Sequence, residues 1–176
     1  LNDRPGKQIR YGFYKFQNNR FTQYLIDTSY SDLNKNNILD MVEIDSSHYV
    51  IAADRGVYLF NGKIFNRLDR KNLDGQTETV SFYDGYLFVG FGKGLYCYKY
   101  DNGWKLASST LENASVNRVL LKNGEVWVAT DKGLYYFNHF DPEKNNHPAI
   151  VYEKNAEVMD VSADINNDVW FTGNQI

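Results

Sequence analysis

The sequence predicts an all-β fold, namely a β-propeller or part of one with four-stranded blades of about 40 residues. Three observations support this: a glycine that recurs at a nearly constant interval, an apolar segment before each of these glycines, and the composition. Aromatic residues make up 16% of the 176 residues and only 3 residues are proline. That balance is typical of sheets whose turns are built from Asn, Asp and Gly.

Each repeat contains a glycine followed by an apolar residue, a tyrosine, one further residue and a second aromatic residue. The four glycines are 44, 38 and 39 residues apart, at Gly12, Gly56, Gly94 and Gly133. We call the strand that begins at this glycine strand C. A period near 40 residues made of short strands is typical of propeller blades.

An apolar segment, strand B, precedes each glycine: VIAA from Val50, LFVG from Leu87, VWVA from Val126 and, near the C-terminus, VWFT from Val169. A strand that is apolar at nearly every position is expected to be buried on both faces, as in blades packed face to face. Strand A lies upstream, over Ile38–Asp45 in the first complete repeat. A looser strand D follows strand C at 64–69, 104–108 and 149–153.

The sequence therefore divides into a single propeller region over 1–176, with a half blade over 9–27, complete blades over 36–70, 77–109 and 115–153, and a half blade over 156–176. Pairing of the first and last strands would close a small ring, whereas an arc of a larger ring would leave blade faces open. The sequence leaves both interpretations open. Because the chain starts at Leu1 without a methionine or a signal peptide, we expect a fragment of a longer protein.

The best copy of the repeat, Val126–Phe137 after the turn NGE, resembles the two-component regulator propeller repeat. The segments Val50–Phe60 and Phe88–Tyr98 are similar to it with Val or Phe at the Trp position, and Val169–Thr172 matches its first half. The resemblance implies the periplasmic sensor region of a hybrid two-component system, which often responds to glycan fragments. The histidine kinase of such systems lies elsewhere in the polypeptide.

Composition and charge argue against several other functions. The net charge is −3 and there is no basic run, so nucleic acid is not an expected partner. No apolar run approaches the ~18 residues of a membrane span, so we expect no membrane contact by this fragment. The single cysteine, Cys97, is expected to be a buried, inert thiol. No cofactor is expected.

Two motifs resemble ligand loops without satisfying their requirements. The segment GFGKG, which includes Lys93, has neither the Ser/Thr after the lysine of a P-loop nor the third glycine and helix of a dinucleotide site. Asp32, Asn34 and Asn36 begin a weak candidate calcium loop that would continue through Asp40 to Glu43. Because Asp40 and Glu43 fall in strand A, we favour a solvated turn and predict no metal site.

Other polar and aromatic features have structural explanations. The segment SADINNDVW, Ser162–Trp170, is similar to the Asp box of sialidase-type propellers, which is itself a hairpin turn. Solvent exposure is expected for the histidines His48, His139 and His147. The aromatic stripe of strand C is expected to pack between blades rather than to stack on sugars. Its members are Tyr14, Phe16, Tyr58, Phe60, Tyr96, Tyr98, Tyr135 and Phe137.

One repeated polar feature is a candidate ligand site. The residue before the strand C glycine is Arg55, Lys93 or Lys132, with Gln175 at the fourth copy. The turns between strands B and C emerge at one end of all blades, so these side chains would form an arc. Turn chemistry alone also explains these residues. As a hypothesis, the arc attracts an anionic ligand such as an acidic oligosaccharide, or an acidic partner.

The sequence therefore predicts a non-enzymatic, periplasmic or extracellular module for ligand sensing or interaction. Small molecules and oligosaccharides are the expected ligands, and association through open blade edges, including a homodimer, is an expected mode of assembly. Two alternatives remain open. One is part of a glycan-cleaving or lyase propeller enzyme, and the other is a structural scaffold in a cell-surface or secretion assembly.

Overall fold

The computed structural model describes residues 12–25, 37–69, 71–73, 75–144, 146, 148–150, 152 and 156–174, and these form strands, turns and short connections. Within these ranges no helix is long and apolar enough to cross a bilayer. The N-terminal half blade consists of β1 (Gly12–Gln17) and β2 (Arg20–Leu25). Blade 1 consists of β3 (Ile38–Asp45), β4 (His48–Ala53), β5 (Gly56–Phe60) and β6 (Phe65–Arg67).

The remaining strands repeat the same order. Blade 2 consists of β7 (Thr77–Tyr83), β8 (Tyr86–Phe91), β9 (Gly94–Tyr100) and β10 (Trp104–Thr110). Blade 3 consists of β11 (Val116–Lys122), β12 (Glu125–Thr130), β13 (Gly133–Phe137) and β14 (Ala149–Ile150). The C-terminal half blade consists of β15 (Glu157–Ala163) and β16 (Val169–Asn174).

Each blade is an antiparallel meander in which every strand pairs with the next one along the chain. The first strands of successive blades contact one another, β3 with β7, β7 with β11 and β11 with β15. These strands therefore line the axis around which the blades are arranged. The three four-stranded sheets with a two-stranded sheet at either end confirm the predicted fold class, and β3 coincides with the segment predicted as strand A.

The two half blades remain separate two-stranded sheets, so in the described part of the chain no strand pairing joins β1–β2 to β15–β16. Blade 1 covers one face of β1–β2 and blade 3 covers one face of β15–β16. The described residues therefore form an arc of blades, and their first and last strands do not close a small ring.

The recurring glycine is explained by the backbone at the start of strand C. Gly56, Gly94 and Gly133 have φ angles of 121°, 124° and 123°, a region that L side chains rarely adopt. A Cβ on Gly56 would lie 2.7 Å from the carbonyl oxygen of Leu73, and one on Gly94 would lie 2.6 Å from that of Thr110. The glycine thus allows the B–C turn to pack against the segment that leads into the next blade.

Strand B is buried on both faces in the complete blades, as its apolar sequence predicts. In β4, Val50 and Ala52 pack toward blade 2 while Ile51 and Ala53 pack toward the N-terminal half blade, and all four are fully buried. In the C-terminal half blade, by contrast, most of β16 is exposed. Burial of strand B thus requires a blade on each side.

The aromatic stripe of strand C packs between blades only where a preceding blade exists. Phe60, Tyr98 and Phe137 are at most 2% exposed. The prediction of packing is wrong for Tyr14 and Phe16 in β1, each of which is 60% exposed, because no described strand covers that face. The opposite face of this half blade is covered: the Phe13 ring lies perpendicular to that of Phe60, with 5.2 Å between centroids.

Candidate functional site

The turns fall at two ends of the blades because the strands run antiparallel. The B–C turns lie at the same end as the segments that lead from strand D into the next strand A, and we call this the B–C end. The A–B and C–D turns lie at the opposite end. Of the side chains predicted to form a ligand-binding arc, Arg55, Lys93 and Lys132 belong to B–C turns.

The aspartates of the B–C turns accept hydrogen bonds that hold these turns in place. The Asp54 carboxylate accepts hydrogen bonds from the backbone N–H and the Nδ2 amide of Asn37, at 3.1 and 2.8 Å. Asp131 likewise accepts one from the backbone N–H of Ser115 at 2.8 Å. Both aspartates thus tie a B–C turn to the residue just before strand A of the same blade. In blade 2, Gly92 stands at this position.

The predicted cations of the arc differ in solvent exposure and in hydrogen bonding. Arg55 and Lys93 are exposed at the tips of their turns. The Lys132 side chain is partly buried, and its ammonium donates a hydrogen bond to the backbone carbonyl of Asn113. Gln175 lies outside the described residues. Three successive B–C turns thus carry a cation at the same end of the molecule, and Lys132 is the one that is held in position.

A groove of about 500 Å³ lies beside Lys132, where the last strand of blade 2 meets blade 3. Its volume is in the range of small-molecule sites. The groove is lined by Ser109, Thr110, Leu111, Glu112, Asn113, Ala114, Lys132, Tyr135, Asn146 and Pro148. It therefore combines one ammonium, one carboxylate, several hydrogen-bonding groups and an aromatic ring.

The same end of the molecule also carries negative charge beside blade 1. Burial, followed by repulsion from Asp54, raises the pKa of Glu78 above its usual value of 4.5. An anion approaching Arg55 would meet these two carboxylates, whereas Lys93 has a glycine in place of the turn aspartate. Asp131 and Glu112 place carboxylates beside Lys132 as well, so the B–C turn of blade 2 differs from the other two in lacking the turn aspartate.

A second polar constellation, which the sequence did not predict, lies along the axis. Asp40, Thr79, Arg118 and Asp160 occupy equivalent positions in β3, β7, β11 and β15, each at a shift in strand register. Such bulges re-aim side chains. The Arg118 guanidinium donates from Nη1 to Asp40 and from Nε to Asp160, both at 3.1 Å.

Asp40 is the centre of this axial network. Its carboxylate also accepts hydrogen bonds from the Thr79 hydroxyl at 2.9 Å and from the backbone N–H of Val80 at 3.1 Å. The network joins blade 1 to blade 2, blade 3 and the C-terminal half blade, so its evident role is to hold the blades together. The near-constant spacing of 40, 79 and 118 was visible in the sequence, but the side chains differ in type.

An apolar pocket at the opposite end also lies between blades 2 and 3, with a volume of about 90 Å³ and with Tyr86, Phe88, Val126 and Phe140 in its wall. The long C–D loop of blade 3 forms one side of it, since the Phe140 ring lies 5.3 Å from that of Phe88. Glu143 of this loop accepts hydrogen bonds from Lys99 and from the Tyr86 hydroxyl, which lower its pKa. The loop thus links blade 3 to blade 2 through the Phe140 ring and the Glu143 carboxylate.

The other sequence candidates have structural roles or lie outside the described ranges. Asp32, Asn34 and Asn36 lie outside them, while Asp40 and Glu43 belong to strand β3. No group of three or more His, Cys, Asp or Glu residues in the described ranges could hold a metal ion. Cys97 is buried, and burial raises the pKa of its thiol to about 12, which makes it inert.

The Asp-box-like segment forms a hairpin turn. Asp164 accepts hydrogen bonds from the backbone N–H groups of Asn166 and Asp168, both at 2.9 Å, and from the Trp170 indole at 3.2 Å. The hydrogen bond from the Asp168 backbone, followed by that from Trp170, lowers the Asp164 pKa. A carboxylate held in this way organises a turn.

The histidines are only partly as predicted. His139 is exposed, whereas His48 is partly buried and its Nδ1 lies 2.9 Å from the Asp45 carboxylate. Hydrogen bonds from the Ser47 backbone and from the His48 ring lower the Asp45 pKa to about 2. This pair caps the A–B turn of blade 1. His147 lies outside the described residues.

No protein-family model and no curated protein matches the sequence. Among solved structures, the fold is similar to the extracellular domain of BT4673 from B. thetaiotaomicron, assigned to a one-component system in one structure and to a hybrid two-component system in another. The first has a TM-score of 0.67 and 18% identity, and the match covers 87% of this chain and 22% of that chain. The second has a TM-score of 0.65 and 19% identity, with 92% and 23% covered.

A more distant similarity is to PorZ, a surface component of the type-IX secretion system of Porphyromonas gingivalis. Here the TM-score is 0.50 and the identity 13%, with 91% of this chain and 35% of that chain covered. The chain spans less than a quarter of the two BT4673 structures. These similarities show that the chain has the β-propeller fold found in extracellular and surface proteins of bacteria.

Proposed function

We propose that this chain is part of a non-enzymatic, extracytoplasmic propeller that senses a ligand at the B–C end of its blades. The observation that carries the proposal is the groove beside Lys132, which lies between two blades at the end where three successive turns each carry a cation. The similarity to the extracellular domain of BT4673 supports the extracytoplasmic location and the sensing role by analogy of fold.

The ligand class that the groove favours is an anionic small molecule or an acidic oligosaccharide. Lys132 would supply the charge contact, with Lys93 of the neighbouring turn adding long-range attraction. Tyr135 would offer an apolar surface and Ser109 a hydroxyl, which suits a ring with both apolar and polar faces. Binding would be passed to the rest of the protein through the arc of blades, which the axial network links to one another.

The test is titration calorimetry with a short oligogalacturonate, compared with a neutral oligosaccharide of the same length. Replacing Arg55, Lys93 and Lys132 together by Ala should weaken binding of the acidic oligosaccharide at least about tenfold, because two or more charge contacts are lost. The matched control replaces Lys63, Lys105 and Lys144, which lie in or beside the C–D connections of the opposite end and carry the same total charge. Equal binding by the two triple variants would overturn the proposal.

A second candidate function is a structural scaffold in a surface or secretion assembly, which the similarity to PorZ favours. A scaffold would contact a protein partner over a broad, standard-sized surface rather than hold a small molecule in one groove. Single replacement of Lys132 by Ala separates the two functions. It should abolish most small-ligand binding in a sensor and leave assembly of a scaffold unchanged.

A further inference from the structure

The apolar pocket between blades 2 and 3 lies at the end of the molecule opposite to the B–C turns. Phe88 of β8 and Val126 of β12, each 3% exposed, form its floor together with Leu121 of β11. The Phe140 ring, which belongs to the C–D loop of blade 3, forms one side. The pocket is therefore built from strands of two blades and closed by a loop.

The C–D loop of blade 3 departs from the repeat. It extends over 138–148, whereas the corresponding connections of blades 1 and 2 cover only 61–64 and 101–103. Long loops placed on a sheet framework often carry binding residues. The pocket thus lies beside the segment in which blade 3 differs most from the other complete blades.

A difference in side-chain size explains why space is left at this junction. Leu121 and Phe82 are equivalent, because each lies opposite the second residue of strand B, Val126 and Leu87 respectively. At the junction of blades 1 and 2, the Phe82 ring packs against that of Trp104, with 6.3 Å between centroids. The shorter Leu121 contributes to an open volume of about 90 Å³. A closed apolar cavity of about 150 Å³ holds benzene, so this smaller, open pocket suits a small ring whose substituent remains outside.

The mouth of the pocket carries negative charge. Tyr83, 53% exposed, and Asp84, also exposed, lie in its wall together with Glu125. Hydrogen bonds from Tyr136 and then Trp127 lower the pKa of Glu125 and occupy its carboxylate. Asp84, in contrast, has no hydrogen bond or ion pair through its side chain within the described ranges. Its carboxylate is therefore available to a ligand.

The lysines around the pocket are engaged elsewhere. The wall itself contains neither Lys nor Arg. The Lys99 ammonium donates to Glu143, and that of Lys144 lies 2.6 Å from the Asp141 carboxylate. Lys122 donates to a backbone carbonyl of the C-terminal half blade. The charge at the mouth is thus complementary to a cation.

We propose that this pocket binds a small organic cation, namely a primary ammonium carried on a ring or a short apolar body. The apolar body would lie against Phe88, Leu121 and Phe140, where it gains dispersion contacts. The ammonium would remain at the mouth, paired with Asp84 and close to the exposed Tyr83 ring. The pocket and the groove proposed for an anionic ligand have no wall residue in common, so the two proposals are independent.

Titration of the 176-residue chain, followed by NMR of its backbone amides, tests the ligand class. The probes are benzylamine, benzyl alcohol and benzoate, which present similar rings with a positive, a neutral and a negative substituent. For a ligand of this size we expect dissociation constants in the millimolar range. Benzylamine should bind at least about threefold more tightly than benzyl alcohol, and benzoate should bind most weakly.

The amide signals that shift should include those of Gly85 and Gly124, which lie in the A–B turns on either side of the mouth. Equal affinities for the amine and the alcohol, or tighter binding of benzoate, would overturn the proposal. So would the absence of saturable binding, or shifts confined to the B–C end.

Replacement of Asp84 by Asn separates the charge contact from apolar burial. The variant should remove most of the preference for benzylamine over benzyl alcohol while leaving the affinity for the alcohol unchanged. It should fold normally, because Asn123 occupies the equivalent turn position in blade 3 with the same φ angle of 50°. Asp101→Asn, at the C–D turn of blade 2, removes the same charge at the same end outside the pocket wall. Equal effects of the two variants would contradict the assignment of Asp84.

A second variant tests the apolar part of the pocket. Phe140→Ala removes the ring on the loop side, so benzylamine and benzyl alcohol should both bind at least about threefold more weakly, with their ratio unchanged. The amide spectrum without ligand reports whether the rest of the sheet framework is preserved. Unchanged affinity for both probes would show that they bind somewhere other than this pocket.

Discussion

The complete blades and the half blades carry the same repeat, but aromatic residues of the repeat that are buried in the complete blades are exposed in the half blades. In blade 3 the second aromatic residue of strand C, Phe137, is 2% exposed, while its counterpart Phe16 in the N-terminal half blade is 60% exposed. The same contrast separates Trp127, packed against the C-terminal half blade, from Trp170, which is 63% exposed. A blade sequence therefore specifies two apolar faces, and the adjacent blade determines whether they are buried.

The comparison also shows where stability is concentrated. Every buried aromatic of strand C lies at a junction between two blades, so each junction acts as a small hydrophobic core. Nearest-neighbour interfaces of this kind dominate the stability of repeat proteins. Substitutions at junctions should thus cost much more than the same substitutions on an open face.

The largest expected effect comes from truncating the two counterpart aromatics. Phe137→Ala should destabilise the protein by about 3–5 kcal/mol, because it leaves a cavity between blades 2 and 3. Phe16→Ala should change the free energy of unfolding by about 0.5 kcal/mol or less when measured on dilute, monomeric protein. Urea unfolding followed by tryptophan fluorescence measures both. Similar losses in the two variants would contradict the view that the adjacent blade decides the energy.

A smaller effect is expected inside blade 2, where Gly90 replaces the alanines of strand B in the other blades. A Cβ on Gly90 would lie 2.5 Å from Cγ2 of Thr79 and 2.6 Å from Cγ1 of Val116. Gly90→Ala should therefore destabilise by about 1–3 kcal/mol through overpacking.

Val116→Ala removes one of the two clashing groups, which provides the control for Gly90. The Gly90→Ala, Val116→Ala double variant should be more stable than the sum of the two single losses predicts, by urea unfolding. Simple additivity would show that the strain at Gly90 comes from elsewhere in blade 2.

The sequence predicted those features that repeat in every blade. The glycine period, the apolar strand B and the limits of strand A at Ile38–Asp45 all follow from local pattern, and the structure confirms them. The exposure of Tyr14 and Phe16 did not follow, because it depends on which neighbours a blade has. The axial network was missed for a related reason, since Asp40 and Arg118 meet only once the blades are arranged around an axis.

The candidate ligand site was predicted only in part. The sequence identified Arg55, Lys93 and Lys132 as a set because they precede the same glycine. It could not show that Lys132 is held by the Asn113 carbonyl beside a groove, since that contact joins a B–C turn to the connection between two blades. The positions of the B–C turns repeat along the sequence and can be predicted from it. The groove is formed where a B–C turn meets the connection between two blades, and the sequence pattern does not predict that contact.

A smaller effect still is expected from a single hydrogen bond at the junction of blades 1 and 2. The buried Tyr98 hydroxyl donates to Asp69 at 2.9 Å. Burial acts to raise the Asp69 pKa, but hydrogen bonds from Asn72 and Tyr98 outweigh it, so the pKa lies below its usual 3.8. Tyr98→Phe should destabilise by about 1 kcal/mol near neutral pH.

The pH dependence of the loss caused by Tyr98→Phe serves as the control for the hydrogen bond between Tyr98 and Asp69. Because the folded pKa of Asp69 is lowered, its contribution is fully present above about pH 5 and is lost as the pH falls through the unfolded and then the folded pKa. The difference between wild type and Tyr98→Phe in urea unfolding should therefore shrink between pH 5 and the acid limit of folding. A difference that is constant over that range would mean that the hydroxyl acts independently of the ionised carboxylate.

The smallest effect is expected at Arg118, which links blade 1 and the C-terminal half blade across the axis. The Arg118 and Asp160 side chains are 42% and 55% exposed, so solvent screens much of their attraction, while Asp40 is only 19% exposed and keeps its bonds to blade 2. Arg118→Met should therefore destabilise by about 1 kcal/mol or less at low ionic strength.

Salt separates this ion pairing from simple packing of the arginine stem. The loss caused by Arg118→Met should diminish between about 0.05 and 1 M NaCl, since the Debye length falls from over 10 Å to about 3 Å. Arg20→Met, on the exposed strand β2 of the N-terminal half blade, is the matched control and should show neither the loss nor its salt dependence. If both variants behaved alike, the ion pairs of Arg118 would contribute nothing measurable to holding blade 1, blade 3 and the C-terminal half blade together.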